Sequence, residues 1–143
     1  MKPSFVIFPS LLAALLLGPT QSQAARATVI ELDNQLISPV TQQYIVEAID
    51  RSESDGSVCL IIKLDTPGGL LESTRAIVKR IMNAKVPVAV YIAPRGARAG
   101  SAGVFITLAA HVAAMAPSTN IGAAHPVVVG EGGGPVKDRK SVV

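Results

Sequence analysis

The chain has 143 residues, of which 49% are apolar and only 3% aromatic, and its net charge is +3. This length allows one domain with a modest core built from Val, Ile, Leu and Ala. The mild charge, the absence of a basic stripe and the absence of tryptophan give no support to nucleic-acid binding.

The first 24 residues form a predicted targeting segment. Lys2 precedes a short apolar stretch over residues 5–17, and Ser22-Gln23-Ala24 matches the small-x-small pattern of a cleavage site. Because the stretch is short for a membrane span, we predict a signal peptide over residues 1–24, with an uncleaved anchor as the alternative. Both interpretations predict an exported bacterial protein on the periplasmic or extracytoplasmic side of the membrane.

Residues 25–128 form one predicted domain of alternating strands and helices. Apolar, β-branched runs indicate strands over residues 28–32, 57–64, 86–92 and 112–116. Helices are predicted from Ser38-Pro39 to about residue 55, over residues 70–82 and over residues 101–110. This order is typical of a layered α/β domain whose site lies on the loops at the strand ends.

The hydrophobic pattern also predicts burial. Only Lys63 interrupts the second apolar run, which is typical of a strand covered on both faces in a parallel sheet and which would bury Cys59. The inward faces of the first two helices are predicted to contain Val40, Tyr44, Ile45, Ala48 and Ile49, and Leu70, Ile77, Val78, Ile81 and Met82. The third helix is apolar all round and is predicted to be buried. Residues 93–99 and 117–126 are predicted to be irregular, and the glycine-rich residues 129–143 to be flexible.

Two motifs follow predicted strands and point to acyl-transfer chemistry. Ser101 opens the third helix within Ala99-Gly100-Ser101-Ala102-Gly103, where its neighbours are too small to shield the hydroxyl. Gly68 and Gly69 end the segment Asp65-Thr66-Pro67-Gly68-Gly69, and a glycine pair can turn backbone N–H groups toward one oxygen atom. Together the motifs predict a nucleophile and an oxyanion hole. The alternative role for Ser101 is an N-cap on a helix of small residues.

The segments 64–69, 99–103 and 121–127 occur in this order within residues 28–128. In this combination the chain resembles the membrane-associated serine proteases of the NfeD family, which have the ClpP/crotonase fold. The resemblance implies repeated β-α and ββα units with a mostly parallel sheet. It also implies that Ser101 is the nucleophile, and that the backbone around Gly68 and Gly69, with the N–H of Ala102, forms the oxyanion hole.

The general base is left open by the sequence. Members of this family pair the serine with a later lysine, which can act as a base once burial lowers its pKa. The resemblance places Lys140 in this role with Lys137 close by, and ordinary solvated charges are the alternative for both. His125 is the rival base and ranks below lysine, because only Glu131 and Asp138 in the flexible segment could support it.

The other polar residues have ordinary roles in this interpretation. Asp65 is predicted to fix its loop through backbone N–H groups rather than to act as an acid. His111 is predicted to be satisfied at a helix end. Arg95 and Arg98 are predicted to be solvated loop charges, with contact to substrate or a neighbouring subunit as the alternative. No cofactor is predicted, and two isolated histidines do not make a metal site.

The resemblance implies an exported serine endopeptidase with a Ser/Lys dyad. Its polypeptide substrates would be apolar segments of membrane-associated proteins, such as stomatin-like partners, and we also expect a homo-oligomer. The resemblance further implies a continuation beyond residue 143 into membrane helices and a small β-barrel. Two alternatives remain: a truncated, inactive scaffold or binding module, and a crotonase-like acyl-thioester enzyme. The second is disfavoured by the secretion signal, because coenzyme A thioesters are cytoplasmic.

Overall fold

A computed structural model describes residues 25–124. The predicted signal peptide over residues 1–24 and the predicted flexible segment over residues 129–143 lie outside the described residues, so these domain boundaries stay predictions. The elements, in chain order, are β1 (Ala27–Leu32), α1 (Pro39–Ser54), β2 (Cys59–Leu64), α2 (Leu71–Met82), β3 (Val88–Ile92), β4 (Arg98–Gly100), α3 (Ala102–Ala109), β5 (Val112–Met115) and β6 (Asn120–Gly122).

Four strands form a parallel sheet in the order β1-β2-β3-β5, and β4 pairs with β6 in a second, two-stranded parallel sheet. The predicted mixed α/β fold with a mostly parallel sheet is therefore confirmed. Because parallel strands run in the same direction, the carboxyl ends of β1, β2 and β3 lie at one edge of the main sheet. The loop that carries the glycine pair leaves β2 at this edge.

The start of α1 follows the prediction. The Ser38 hydroxyl accepts a hydrogen bond from the N–H of Thr41 at 3.3 Å, and a proline occupies the first turn, where no N–H is required. The predicted inward face is wrong at Val40 and Tyr44, which are exposed. Thr41 and Ser52 are buried instead. Their hydroxyl groups donate to backbone carbonyl groups, so burial leaves no polar atom unpaired.

The buried face of α2 is narrower than predicted. Ile77 and Ile81 are fully buried, as expected, but Leu70 and Met82 are exposed at the two ends of the helix. In the first turn of α2, Ser73 and Thr74 are buried instead. The tertiary contacts of this turn therefore override the hydrophobic pattern.

Within the described residues, the main sheet is covered on one face. In β2, Leu60, Ile62 and Leu64 are fully buried, whereas Cys59 and Ile61 on the other face are half-buried. The predictions of a strand covered on both faces and of a buried Cys59 are wrong here. The strands follow one another across the sheet in chain order, from β1 to β5. Right-handed crossovers between such strands place the connecting helices on the same face of the sheet.

The third helix is not buried all round as predicted. Ile106 and Thr107 are buried, but Phe105 is 43% exposed and Leu108 is 75% exposed. The short strands β4 and β6 lie in segments that were predicted to be irregular. Three residues are too few to show an alternating pattern, and their pairing partner is distant in sequence.

We expect the Ile77→Ala substitution to lower the free energy of unfolding by about 2–5 kcal/mol, because it leaves a cavity in the core. The matched control is Met82→Ala in the same helix, which removes a side chain that is 69% exposed and should cost less than about 0.5 kcal/mol. Urea unfolding of both variants measures the difference. Equal losses of unfolding free energy in the two variants would contradict the finding that Ile77 is buried and Met82 is exposed.

Candidate active site

The two motifs singled out in the sequence meet through a short backbone pairing. The N–H of Thr66 donates to the carbonyl oxygen of Arg98 at 2.8 Å, and the N–H of Gly100 donates to the carbonyl oxygen of Thr66 at 2.9 Å. Thr66 thereby forms a parallel bridge with Ala99, the middle residue of β4. This pairing brings the start of the loop after β2 against the strand that leads into Ser101 and α3.

Ser101 occupies that turn in a strained backbone conformation. Its φ is 47° and its ψ is −105°, a region that non-glycine residues rarely adopt and that costs on the order of 1–3 kcal/mol. Its N–H donates to the carbonyl oxygen of Gly122 in β6 at 2.9 Å. The arrangement of strand, strained serine and helix has the geometry in which nucleophilic serines present their hydroxyl group.

The N-cap alternative for Ser101 does not fit this geometry. The Ser101 side chain makes no capping hydrogen bond to α3, whereas the Ser38 hydroxyl caps α1 from an ordinary extended backbone with φ of −131°. A helix cap gives no reason for positive φ, because a capping serine normally has an extended backbone. The half-buried Ser101 hydroxyl is therefore available for another role.

The diglycine turn fits tightly between Ser101 and the segment before α1. A Cβ on Gly68 would lie 2.7 Å from the Cβ and 3.3 Å from the Oγ of Ser101, and its φ of 119° also requires glycine. A Cβ on Gly69 would lie 2.1 Å from the carbonyl oxygen of Ile37. Both glycines are required by close approach, and Gly68 is in direct contact with Ser101.

The backbone N–H groups predicted for the oxyanion hole differ in their bonding. The N–H of Gly68 donates to the Thr66 Oγ1 at 3.0 Å and is already satisfied. Within residues 25–124, neither Gly69 nor Ala102 donates its N–H to another group. Ala102 is the first residue of α3, and the first N–H groups of a helix have no partner within the helix.

The other polar residues considered in the sequence are held in ordinary ways. The Asp65 Oδ1 accepts a hydrogen bond from the N–H of Arg98 at 2.9 Å, which confirms that Asp65 fixes its loop. The Nδ1 of His111 accepts from the N–H of Val88 at 3.2 Å, and the backbone N–H of His111 donates to the Val88 carbonyl, so His111 is satisfied as predicted. Arg95 is exposed in the loop before β4, and Arg98 is exposed at the start of β4.

The candidate bases His125, Lys137 and Lys140 lie outside the described residues. Among residues 25–124, no group of three His, Cys, Asp or Glu side chains is placed to hold a metal ion. The sequence interpretation included Thr66 and Gly122 in its motifs but assigned neither of them a role in the site. A threonine before Pro-Gly-Gly carries no periodic signal, and Gly122 is identified only by its hydrogen bond to Ser101.

Comparison with known proteins identifies relatives of this chain. The family model for the N-terminal domain of NfeD1b matches residues 27–142. The membrane-bound protease PH1510 of Pyrococcus horikoshii is 45% identical over an alignment of 89 residues, and the match covers 59% of this chain and 20% of that protein. The chain thus spans about a fifth of the length of this curated relative.

Two solved structures of the 1510-N membrane-bound stomatin-specific protease are similar to this chain. The first carries alanine in place of a serine at its position 97; it has a TM-score of 0.73 and 36% identity, and the match covers 80% of this chain and 55% of that one. The second carries alanine in place of a lysine at its position 138 and holds a substrate peptide. It has a TM-score of 0.73 and 37% identity, covering 80% of this chain and 52% of that one.

The fold extends to a more distant relative. ClpP1 from Listeria monocytogenes, solved as a mutant, has a TM-score of 0.56 and 24% identity, and the match covers 68% of this chain and 56% of that one. This likeness concerns the fold alone. The family match spans most of the residues, and the 1510-N structures share the fold at a TM-score of 0.73. This chain belongs to the family of NfeD1b N-terminal domains and has a ClpP-like fold.

Proposed function

We propose that this chain is the catalytic domain of an exported serine endopeptidase that uses a Ser/Lys dyad and cleaves apolar segments of membrane-associated proteins. The observation that carries the proposal is the strained Ser101, whose hydroxyl caps no helix and lies against Gly68. Backbone strain at a nucleophilic side chain is characteristic of functional sites. The relatives support the class, since they are named as membrane-bound proteases.

In the proposed reaction, the Ser101 Oγ attacks the carbonyl carbon of the scissile peptide bond, and its proton passes to a neutral lysine amine. The tetrahedral intermediate collapses when the lysine returns that proton to the leaving nitrogen and the C–N bond breaks. An acyl ester remains on Ser101. Water then gives a proton to the same lysine and attacks the ester carbonyl carbon. The lysine returns this proton to the Ser101 Oγ as the ester C–O bond breaks, which releases the second product and restores the serine.

We assign the oxyanion to the N–H groups of Gly69 and Ala102. The Gly68 carbonyl accepts a hydrogen bond from the Ile37 N–H at 2.8 Å. The N–H of Gly69 belongs to the same trans peptide plane and therefore points away from Ile37. The Ala102 N–H lies at the positive end of α3. Gly68 contributes the absence of a side chain beside the nucleophile, because its own N–H is already bonded.

Lys140 is the proposed base. In the solved relative, the substituted serine and lysine stand at positions 97 and 138, which are 41 residues apart. Lys140 follows Ser101 by 39 residues and Lys137 follows it by 36, so Lys140 has the closer spacing. His125 is the second candidate, since it follows Gly122 by three residues and Gly122 bonds to the Ser101 backbone.

An exposed apolar groove supports the preference for apolar substrates. It has a volume of about 430 Å³, lies between α2 and α3, and is lined mainly by Leu71, Val78, Met82, Phe105 and Leu108. Both helices begin at the site loops, because Leu71 follows Gly69 by two residues and Phe105 lies about one turn beyond Ser101. Apolar segments of a membrane-associated protein, such as a stomatin-like partner, match this surface chemically. The partner class itself is taken from the solved relative, which is named as stomatin-specific.

Assembly and location are further parts of the proposal. All four residues of β5, Val112–Met115, are exposed at the edge of the main sheet, which supports a homo-oligomer because exposed edges favour strand pairing. Export rests on the predicted signal peptide over residues 1–24. Within residues 25–124, no helix combines the length and the apolar character of a membrane span.

We expect Ser101→Ala in the full chain to lower cleavage of an apolar test peptide by about 10⁴-fold or more and to abolish labelling by a fluorophosphonate probe. Circular dichroism should not change. The matched control is Ser118→Ala, because Ser118 is also a serine with positive φ (64°) but lies exposed between β5 and β6. This control should retain cleavage and labelling. Undiminished cleavage in Ser101→Ala would refute the nucleophile.

We expect Lys140→Ala to lower kcat by about 10²- to 10⁴-fold, whereas Lys137→Ala and His125→Ala should each retain most of it. A lysine base acts only when neutral, so kcat should rise with pH through the lysine pKa. Steady-state cleavage across pH measures both effects. A larger loss in His125→Ala than in Lys140→Ala would assign the base to histidine and overturn the dyad.

A further inference from the structure

Thr66 is a buried polar residue to which the proposed reaction assigns no role. It is fully buried at 0% exposure and lies two residues beyond the end of β2. A buried hydroxyl without a partner costs about 1–3 kcal/mol, so the contacts of this side chain show which groups it stabilises.

The Thr66 hydroxyl connects two loops. Its Oγ1 donates to the carbonyl oxygen of Gln35 at 2.6 Å and accepts a hydrogen bond from the N–H of Gly68 at 3.0 Å. A hydroxyl has one proton to donate, and the shorter contact to Gln35 uses it; the Gly68 carbonyl, at 3.3 Å, already accepts from the Ile37 N–H. The side chain therefore holds the diglycine turn against the loop after β1.

The backbone of Thr66 holds the other side of the site. Its N–H and carbonyl groups bond to Arg98 and Gly100 in β4, the strand that ends immediately before Ser101. One residue thus fixes the turn that carries Gly69 and the strand that presents the nucleophile. The Thr66 side chain fixes the peptide plane that contains the Gly68 N–H. The hydrogen bond from the Ile37 N–H fixes the next plane, which contains the Gly68 carbonyl and the Gly69 N–H.

We propose that Thr66 is a positioning residue whose hydroxyl, through Gln35 and Gly68, fixes the diglycine turn against Ser101 and with it the direction of the Gly69 N–H. This proposal rests on the proposed peptidase function. Thr66 does not touch the reacting atoms. Without its hydroxyl the Gly68 N–H loses its partner, and only the Ile37 N–H, through the Gly68 carbonyl, still fixes the peptide plane that carries the Gly69 N–H, so the oxyanion donor is held less firmly.

The test compares Thr66→Val, which keeps the size and loses the hydroxyl, with Thr66→Ser, which keeps the hydroxyl. We expect Thr66→Val to lower kcat for the apolar test peptide by about 10- to 100-fold while KM changes less than about 3-fold. Thr66→Ser should restore kcat to within about 3-fold of the wild type. The control is Thr107→Val, since the buried Thr107 donates its hydroxyl to Gly103 within α3. Wild-type kcat in Thr66→Val would overturn the proposal.

Amide hydrogen exchange of the wild-type chain tests the contact without catalysis and without a variant that could fail to fold. We expect the Gly68 amide to be protected and the adjacent Gly69 amide to exchange rapidly. An unprotected Gly68 amide would overturn the positioning role even if Ser101 is the nucleophile. If cleavage does not depend on Ser101 while the Gly68 amide is protected, the peptidase proposal fails and the Thr66 contact stands.

Discussion

The close contact between Gly68 and Ser101 is the constraint on which the candidate site depends. Any side chain at residue 68 would overlap the Ser101 Cβ, so the strained serine and the diglycine turn exist only together. The pairing of Thr66 with Ala99 brings them into contact. Both of these residues are fully buried, and the surrounding core holds the backbone strain at Ser101.

The sequence predicted the periodic elements and the two motifs of the site, because both are local. Ser38 capped its helix, and the strand before the diglycine turn lay where its apolar run indicated. The contacts between the motifs could not be predicted, since they join residues more than thirty positions apart, as between Asp65 and Arg98. That Ser101 makes no capping hydrogen bond and has a positive φ likewise became visible only in the structure, because composition and spacing do not encode a backbone angle.

The hydrophobic pattern of the sequence predicted too much burial in the most apolar segments. Within residues 25–124, the uncovered face of the main sheet carries Val29, Ile61, Ala89 and Val112 in one register row, and Val29 and Val112 are more than half exposed. On the other side of the sheet, the groove between α2 and α3 begins at the loops of the site. The two apolar surfaces therefore suit different proposed roles. The groove suits substrate binding, and the open sheet face with its edge at β5 suits assembly.

The most direct test of the account is a crystal structure of the full chain after reaction with a fluorophosphonate. We predict a phosphorus atom bonded to the Ser101 Oγ and a phosphoryl oxygen within hydrogen-bond distance of the N–H groups of Gly69 and Ala102. The Gly68 N–H should still donate to the Thr66 hydroxyl. An adduct on another residue, or a phosphoryl oxygen that no backbone N–H of the diglycine turn contacts, would contradict the account.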